Sequence, residues 1–231
     1  MKRIKLILYV ISVSIFSFEN AYAYERSELV LPRLQIMPGM NLEQVAYPII
    51  YNKKLMSISN FTTKKSIKDV MSYYSSLFKL KGHGDIAAST MGSKQVIGYE
   101  KNGYLYSLEV DRAGSGSSGS IVISRLKNIK NVIHVFPMRI NDKLLTHIIS
   151  FDAGIEAETL ILTSQNSMSA NRNWYRDRLM KLGWVRYIHH ANKNTHEEQY
   201  QRGSQSCQVI YSSSGLLNDS NSLIQIHWIK G

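Results

Sequence analysis

The sequence predicts an α+β fold of two tandem copies of a small domain. Each copy has one helix packed on an antiparallel β-sheet of about four strands, and a signal peptide precedes both. Three observations predict this. An amphipathic segment ending at glycine is written twice, as Ser66–His83 and as Ser167–Trp184. Text with apolar residues at every second position follows each segment. A basic, then apolar, then small-residue leader opens the chain. The expected division is a signal peptide over 1–23, an arm over 24–44, a first repeat over 45–130 and a second over 131–231.

The leader has the three parts that export signals need. Lys2, Arg3 and Lys5 form the positive start, Leu6 to Phe18 the apolar stretch, and Ala21-Tyr22-Ala23 the cleavage site. The apolar stretch is short for a membrane span, and no later run is long enough for one, so no transmembrane segment is expected after cleavage. The expected location is periplasmic or secreted. The 24–44 arm, with Pro32 and Pro38-Gly39, shows little periodicity.

The repeat starts where Tyr47-Pro48 to Met56 aligns on Phe136-Pro137 to Leu145. Thr62, Ser66, Tyr74, Gly82 and Tyr99 then meet Thr163, Ser167, Tyr175, Gly183 and Tyr200, and Ile121 and Ile123 meet Ile224 and Ile226. In the first helix Ser66 and Asp69 read as a capping box. Ile67, Val70, Met71, Tyr74, Leu77 and Phe78 make one apolar stripe. The second helix carries Asn171 and Arg172 where the first has Val70 and Met71, so its first turn is either exposed or faces something polar. Asn102-Gly103 is a strong hairpin signal, and Tyr104, Tyr106, Leu108 and Val110 share one strand face.

Composition narrows function. The chain has 231 residues, 44% of them apolar, and a formal charge of +11. That composition is globular, and the Lys and Arg residues are scattered, as on a solvated basic surface. One cysteine, Cys207, excludes an intramolecular disulfide framework. Its position on an apolar strand face reads as a small hydrophobe rather than a nucleophile.

Few motifs suggest chemistry. Gly114-Ser-Gly116-Ser-Ser-Gly119 matches the dinucleotide fingerprint in letters, but a strand follows it instead of the helix that would hold a phosphate. No cofactor motif, nucleophile elbow, P-loop, paired-carboxylate site or zinc-ligand spacing is present, so no catalytic residue, cofactor or metal is assigned. His189, His190 and His196 crowd a polar stretch beside Glu197 and Glu198, which reads as a solvated loop between strands; the three are candidate binding residues and the cluster to test for metal or pH sensing. Tyr73 and Trp174 match each other at the margin of the two helix stripes and are candidate binding aromatics. Asn60-Phe-Thr62 and Asn218-Asp-Ser220 are glycosylation sequons for a eukaryotic source.

The expected function is therefore a non-enzymatic, exported tandem-repeat protein acting as a binding or accessory module in an envelope or secretion assembly. Its expected partner is a protein of the cell envelope, with an anionic surface as a second class and no nucleic acid. The alternative is an exported enzyme or small-ligand-binding protein with a site between the two repeats.

Overall fold

The computed structural model describes residues 29–82, 84–130, 132, 134–152, 154–213 and 222–231. The leader, the first residues of the arm and the sequon at Asn218 lie outside them.

The chain begins its regular structure with a long hairpin. Strands β1 (Met40–Tyr51) and β2 (Lys54–Thr63) turn through Asn52 and Lys53, both at positive φ (46° and 70°), the geometry that matches strand twist. Helix α1 (Ile67–Leu80) follows, and its capping box forms as the sequence predicts: Asp69 N donates to Ser66 Oγ and Ser66 N to Asp69 Oδ2, each at 3.2 Å. Val70, Tyr74 and Phe78, one turn apart, are its buried residues. A meander then runs through β3 (Asp85–Met91), β4 (Lys94–Lys101), β5 (Tyr104–Ala113) and β6 (Gly116–Arg125). The Asn102-Gly103 turn joins β4 to β5 at φ 53° and 78°.

The same succession recurs as β7 (Lys143–Asp152), β8 (Ile155–Ser164), α2 (Met168–Lys181), β9 (Val185–Ala191), β10 (Thr195–Arg202), β11 (Gln205–Ser213) and β12 (Ser222–Ile229). No helix among the described residues is long and apolar enough to cross a membrane.

The architecture corrects the expected fold class. The strands form one 12-stranded antiparallel sheet, in the order β3-β4-β5-β6-β2-β1-β7-β8-β12-β11-β10-β9, rather than two four-stranded sheets each under a helix. The order reads the same from either edge. Two physical facts explain the error. Strands β3 and β9 are solvent-exposed almost throughout, so no apolar alternation marks them. The joint is three residue pairs of high sequence separation, Ile49 with Ser150, Ile50 with Ile149 and Tyr51 with Ile148, and local text does not encode such pairing.

Register also revises two matches between the halves. Ile121 lies opposite Leu108 and Ile226 opposite Val209, so Ile121 corresponds to Ile226, not to Ile224, and Ile123 to Trp228. Tyr47–Met56 spans the β1–β2 turn, whereas Phe136–Leu145 spans the linker and the start of β7, so that letter match is not a structural one.

Both helices cover one face of the sheet. Directly opposed residues point to the same side, and the row Ile50, Ile149, Glu158, Trp228 runs from the first core into the second. The arm runs along the body: Leu31, Leu34 and Met37 are buried in the first core, and Gln35 Nε2 donates to the Tyr73 hydroxyl at 3.1 Å. Within the stretch read as arm, Met40 already opens β1. The linker crosses between the halves, burying Ile129 and Val132 in the first core and Phe136 in the second.

Candidate functional site

The two matched aromatics sit on separate helices and in separate cores. Tyr73 stands edge-on to Tyr74, with ring centroids 5.1 Å apart, and its hydroxyl is occupied by Gln35. Trp174 stands edge-on to Tyr175 at 4.7 Å. It lines an open cleft of about 420 Å³ with Pro137, Met138, Arg178 and Lys181. The structure does not bring the pair into one groove; each covers the margin of its own helix.

The three histidines lie on strands rather than in the expected loop. His189 and His190 are in β9 and His196 is in β10, across a short turn at 192–194. Strand alternation divides them. His189 and His196 share the helix-bearing face, their rings nearly parallel at 5.9 Å. His190 faces the other side, opposite Glu197. Arg172 Nη1 lies 3.3 Å from His196 Nδ1. Burial, Arg172 and His189 together hold the His196 imidazole below its usual value. A cation beside a ring nitrogen opposes a second cation there, so the trio has the layout of a strand surface and not of a ligand cage. No group of three His, Cys, Asp or Glu side chains is placed to hold a metal ion among the described residues.

Beneath the histidines, Glu198 is fully buried and paired. Arg186 Nη1 donates to Oε1 at 2.8 Å and the Tyr200 hydroxyl to Oε2 at 2.5 Å. Each oxygen of this buried carboxylate thus accepts from its own donor, one charged and one neutral. Burial and the bond to Glu198 push the Tyr200 phenol far above its usual range. Cys207 is buried in the second core, and that burial raises its thiol well above the range of a reactive thiolate.

The first turn of α2 faces something polar. Asn171 is fully buried; its Nδ2 donates to Ser222 Oγ at 2.8 Å and its Oδ1 accepts from Arg139 and Ser164, each at 3.3 Å. A second polar site lies at the joint of the halves. His147 Nε2 is 2.7 Å from Glu158 Oε1, and Lys230 Nζ is 3.2 Å from Glu158 Oε2. The first site ties α2 to β8 and β12, and the second ties β7 to β8.

The two ends of the sheet differ. Every residue of β3 is exposed, Asp85 is its only charged side chain, and its register with β4 is unbroken. Strand β9 carries Arg186, His189 and His190, and its pairing with β10 is interrupted by a register shift at Gln199/Tyr200. Charge and irregularity are how proteins blunt an edge strand against pairing with other chains. The β9 edge is blunted in this way and the β3 edge is not. No family model, curated protein or solved structure matches this chain. The edge therefore rests on its own geometry. Sequence reasoning missed β3; the short run Ile86-Ala-Ala-Ser-Thr90 between Gly84 and Gly92 was its one signal, too small and too weakly apolar to alternate.

Proposed function

We propose that this is an exported, non-enzymatic binding protein, an accessory module of an envelope or secretion assembly, which takes an extended segment of a protein partner along β3. The observation that carries the reading is the unblunted β3 edge. A free edge offers a row of main-chain donors and acceptors, and an extended peptide satisfies them by adding a strand. Ile86 and Met91, both exposed on β3, supply apolar contacts to such a segment.

The test places a photo-cross-linking residue at Ile86 and, as a control on the opposite edge, at Tyr187, in cells producing the full chain. The reading expects one discrete protein adduct from Ile86, none from Tyr187, and loss of the adduct when Ala87→Lys and Ala88→Lys are introduced together. Both alanines are exposed, so thermal unfolding of the double variant is expected to match the parent. An adduct that survives the two lysines, or no adduct from Ile86, overturns it.

A further inference from the structure

We propose that the cleft between the N-terminal arm and the sheet binds an anionic amphiphile: a single acyl chain with a carboxylate or phosphate head. The cleft has a volume of about 430 Å³, within the range of small-molecule sites, which are mostly apolar with a few polar groups. Leu31, Leu34 and Ile36 of the arm form one wall. Ser57 and Ser59 of β2, with Ile121 and Ile123 of β6, form the floor. Ser57 pairs with Ile123 and Ser59 with Ile121, so all four point the same way.

The second half supplies an internal comparison. At the equivalent corner the floor residues are Glu158, Leu160, Ile226 and Trp228, by the strand register already given. Trp228 stands where the first half has Ile123. Phe136, from the linker leading into β7, packs on it at 5.7 Å and is only 3% exposed. One framework thus closes this corner with two large rings. The other lays down two serines and two isoleucines and leaves the space open. Around that opening Leu42 and Tyr47 remain 44% and 47% exposed. Apolar surface kept wet beside a preformed cleft is what a bound apolar chain would cover.

The mouth decides the head group. Arg33 lines the cleft and makes no hydrogen bond or ion pair among the described residues. Gln44 Nε2 is spent on Ala46 O, Ile58 O and Ser59 Oγ, at 3.1, 3.3 and 3.3 Å, so it fixes the strand irregularity and not a ligand. That leaves a guanidinium free at the rim, a fork that suits carboxylate and phosphate. The walls are aliphatic and impose no directional bonds, which favours a flexible acyl chain over a ring with a fixed polar pattern.

The experiment titrates the whole signal-processed protein by calorimetry with dodecanoate, dodecyl phosphate and dodecanol, each below its micellar concentration, and with vesicles of phosphatidylglycerol. The proposal expects both acids to bind at one site at least tenfold more tightly than dodecanol. Arg33→Ala should erase that preference and leave dodecanol unchanged, while Arg112→Ala, at an exposed position near the end of β5, should change nothing. Ser59→Leu, which installs the residue of the second half, should abolish binding of all three. Ser57→Leu is the substitute should Ser59→Leu lower the unfolding temperature. Binding of the free acids but not of vesicles marks a monomeric ligand as the source, and binding of vesicles through Arg33 marks a lipid head group. Equal affinity for dodecanol, no binding of either acid, or binding that survives a filled cleft overturns the proposal. Binding that appears only after residues 24–28 are deleted overturns it too, because the chain's own start would then be the occupant.

Discussion

His147 Nε2 sits 2.7 Å from Glu158 Oε1 at the joint between the two halves, and the two side chains are 6% and 1% exposed. The same His147 holds the first half by its backbone. Its N–H donates to Asn52 Oδ1 and its carbonyl accepts from Asn52 N, both at 2.8 Å. One residue therefore clamps the β1–β2 turn through its backbone and holds a buried carboxylate through its ring. Glu158→Leu leaves His147 buried without its partner, and breaking a buried pair in this way costs about 3–5 kcal/mol. Replacing both residues by leucine removes both desolvated groups, and is expected to restore more than half of that loss. Urea unfolding of the single and double variants measures this.

Stability should fall on acidification in two steps. Burial pushes the Glu158 carboxyl up, but His147 and Lys230 outweigh it and hold the group below its ordinary 4.5. A depressed carboxyl contributes stability that is present above the unfolded value and lost as pH falls through the folded one. For His196 the folded value also lies below the unfolded 6.5, so the unfolded chain binds the proton first and stability declines as pH drops from 6.5. Unfolding curves at pH 7, 5.5 and 4 are expected to differ between parent and His196→Gln in the upper interval. Parent and Glu158→Gln should differ in the lower one. Parallel curves in both intervals contradict the assignment.

Two strand glycines should respond in opposite ways. A Cβ on Gly119 meets Glu109 O at 1.8 Å, backbone that cannot move without parting β5 from β6. Gly119→Ala is expected to destabilise by about 1–3 kcal/mol or more, as overpacking does. On Gly98 the nearest atom is Leu105 Cδ1 at 3.8 Å, an ordinary contact. Gly98→Ala is expected to be neutral or to stabilise by about 0.4–1 kcal/mol through the unfolded chain. Calorimetric unfolding temperatures separate the two.

The polar corner beneath α2 predicts a failed exchange between the halves. Asn171→Val installs the residue found at the matching point of α1, Val70. It also strips partners from Ser222, Ser164 and Arg139. Leaving such groups unsatisfied costs about 1–3 kcal/mol. Loss of stability in that range by denaturant unfolding is the expected result.

The candidate sites show what local text carries and what it omits. Trp174 was visible because large aromatics at a helix margin stand out. His189, His190 and His196 were visible as a cluster, but a strand assignment was needed to see that alternation parts His190 from the other two. Strand β3 was nearly invisible, because Ala87, Ala88 and Ser89 bury nothing and so leave no period. The arm cleft was invisible altogether: Leu31 and Ile121 are far apart in sequence and meet only when β6 pairs with β2.

The sequence by itself determined both helices, through the Ser66–Asp69 capping box, Ser167 and the apolar stripe of α1, and it determined the turn at Asn102-Gly103. These are short-range matters, settled by hydrogen bonds within a few residues and by periodicity. The buried role of Cys207 was legible for the same reason. Only the tertiary structure decided that the two halves share one sheet. Three pairs between β1 and β7, beside a buried His147–Glu158 contact, make that joint, and each links residues whose sequence neighbours give no sign of the other. It likewise decided that one edge is blunted and the other open, and that Trp228 fills a corner that Ile123 leaves empty. Those outcomes depend on which strands come to lie side by side, which follows from burying two cores on one face and not from any residue's local preference.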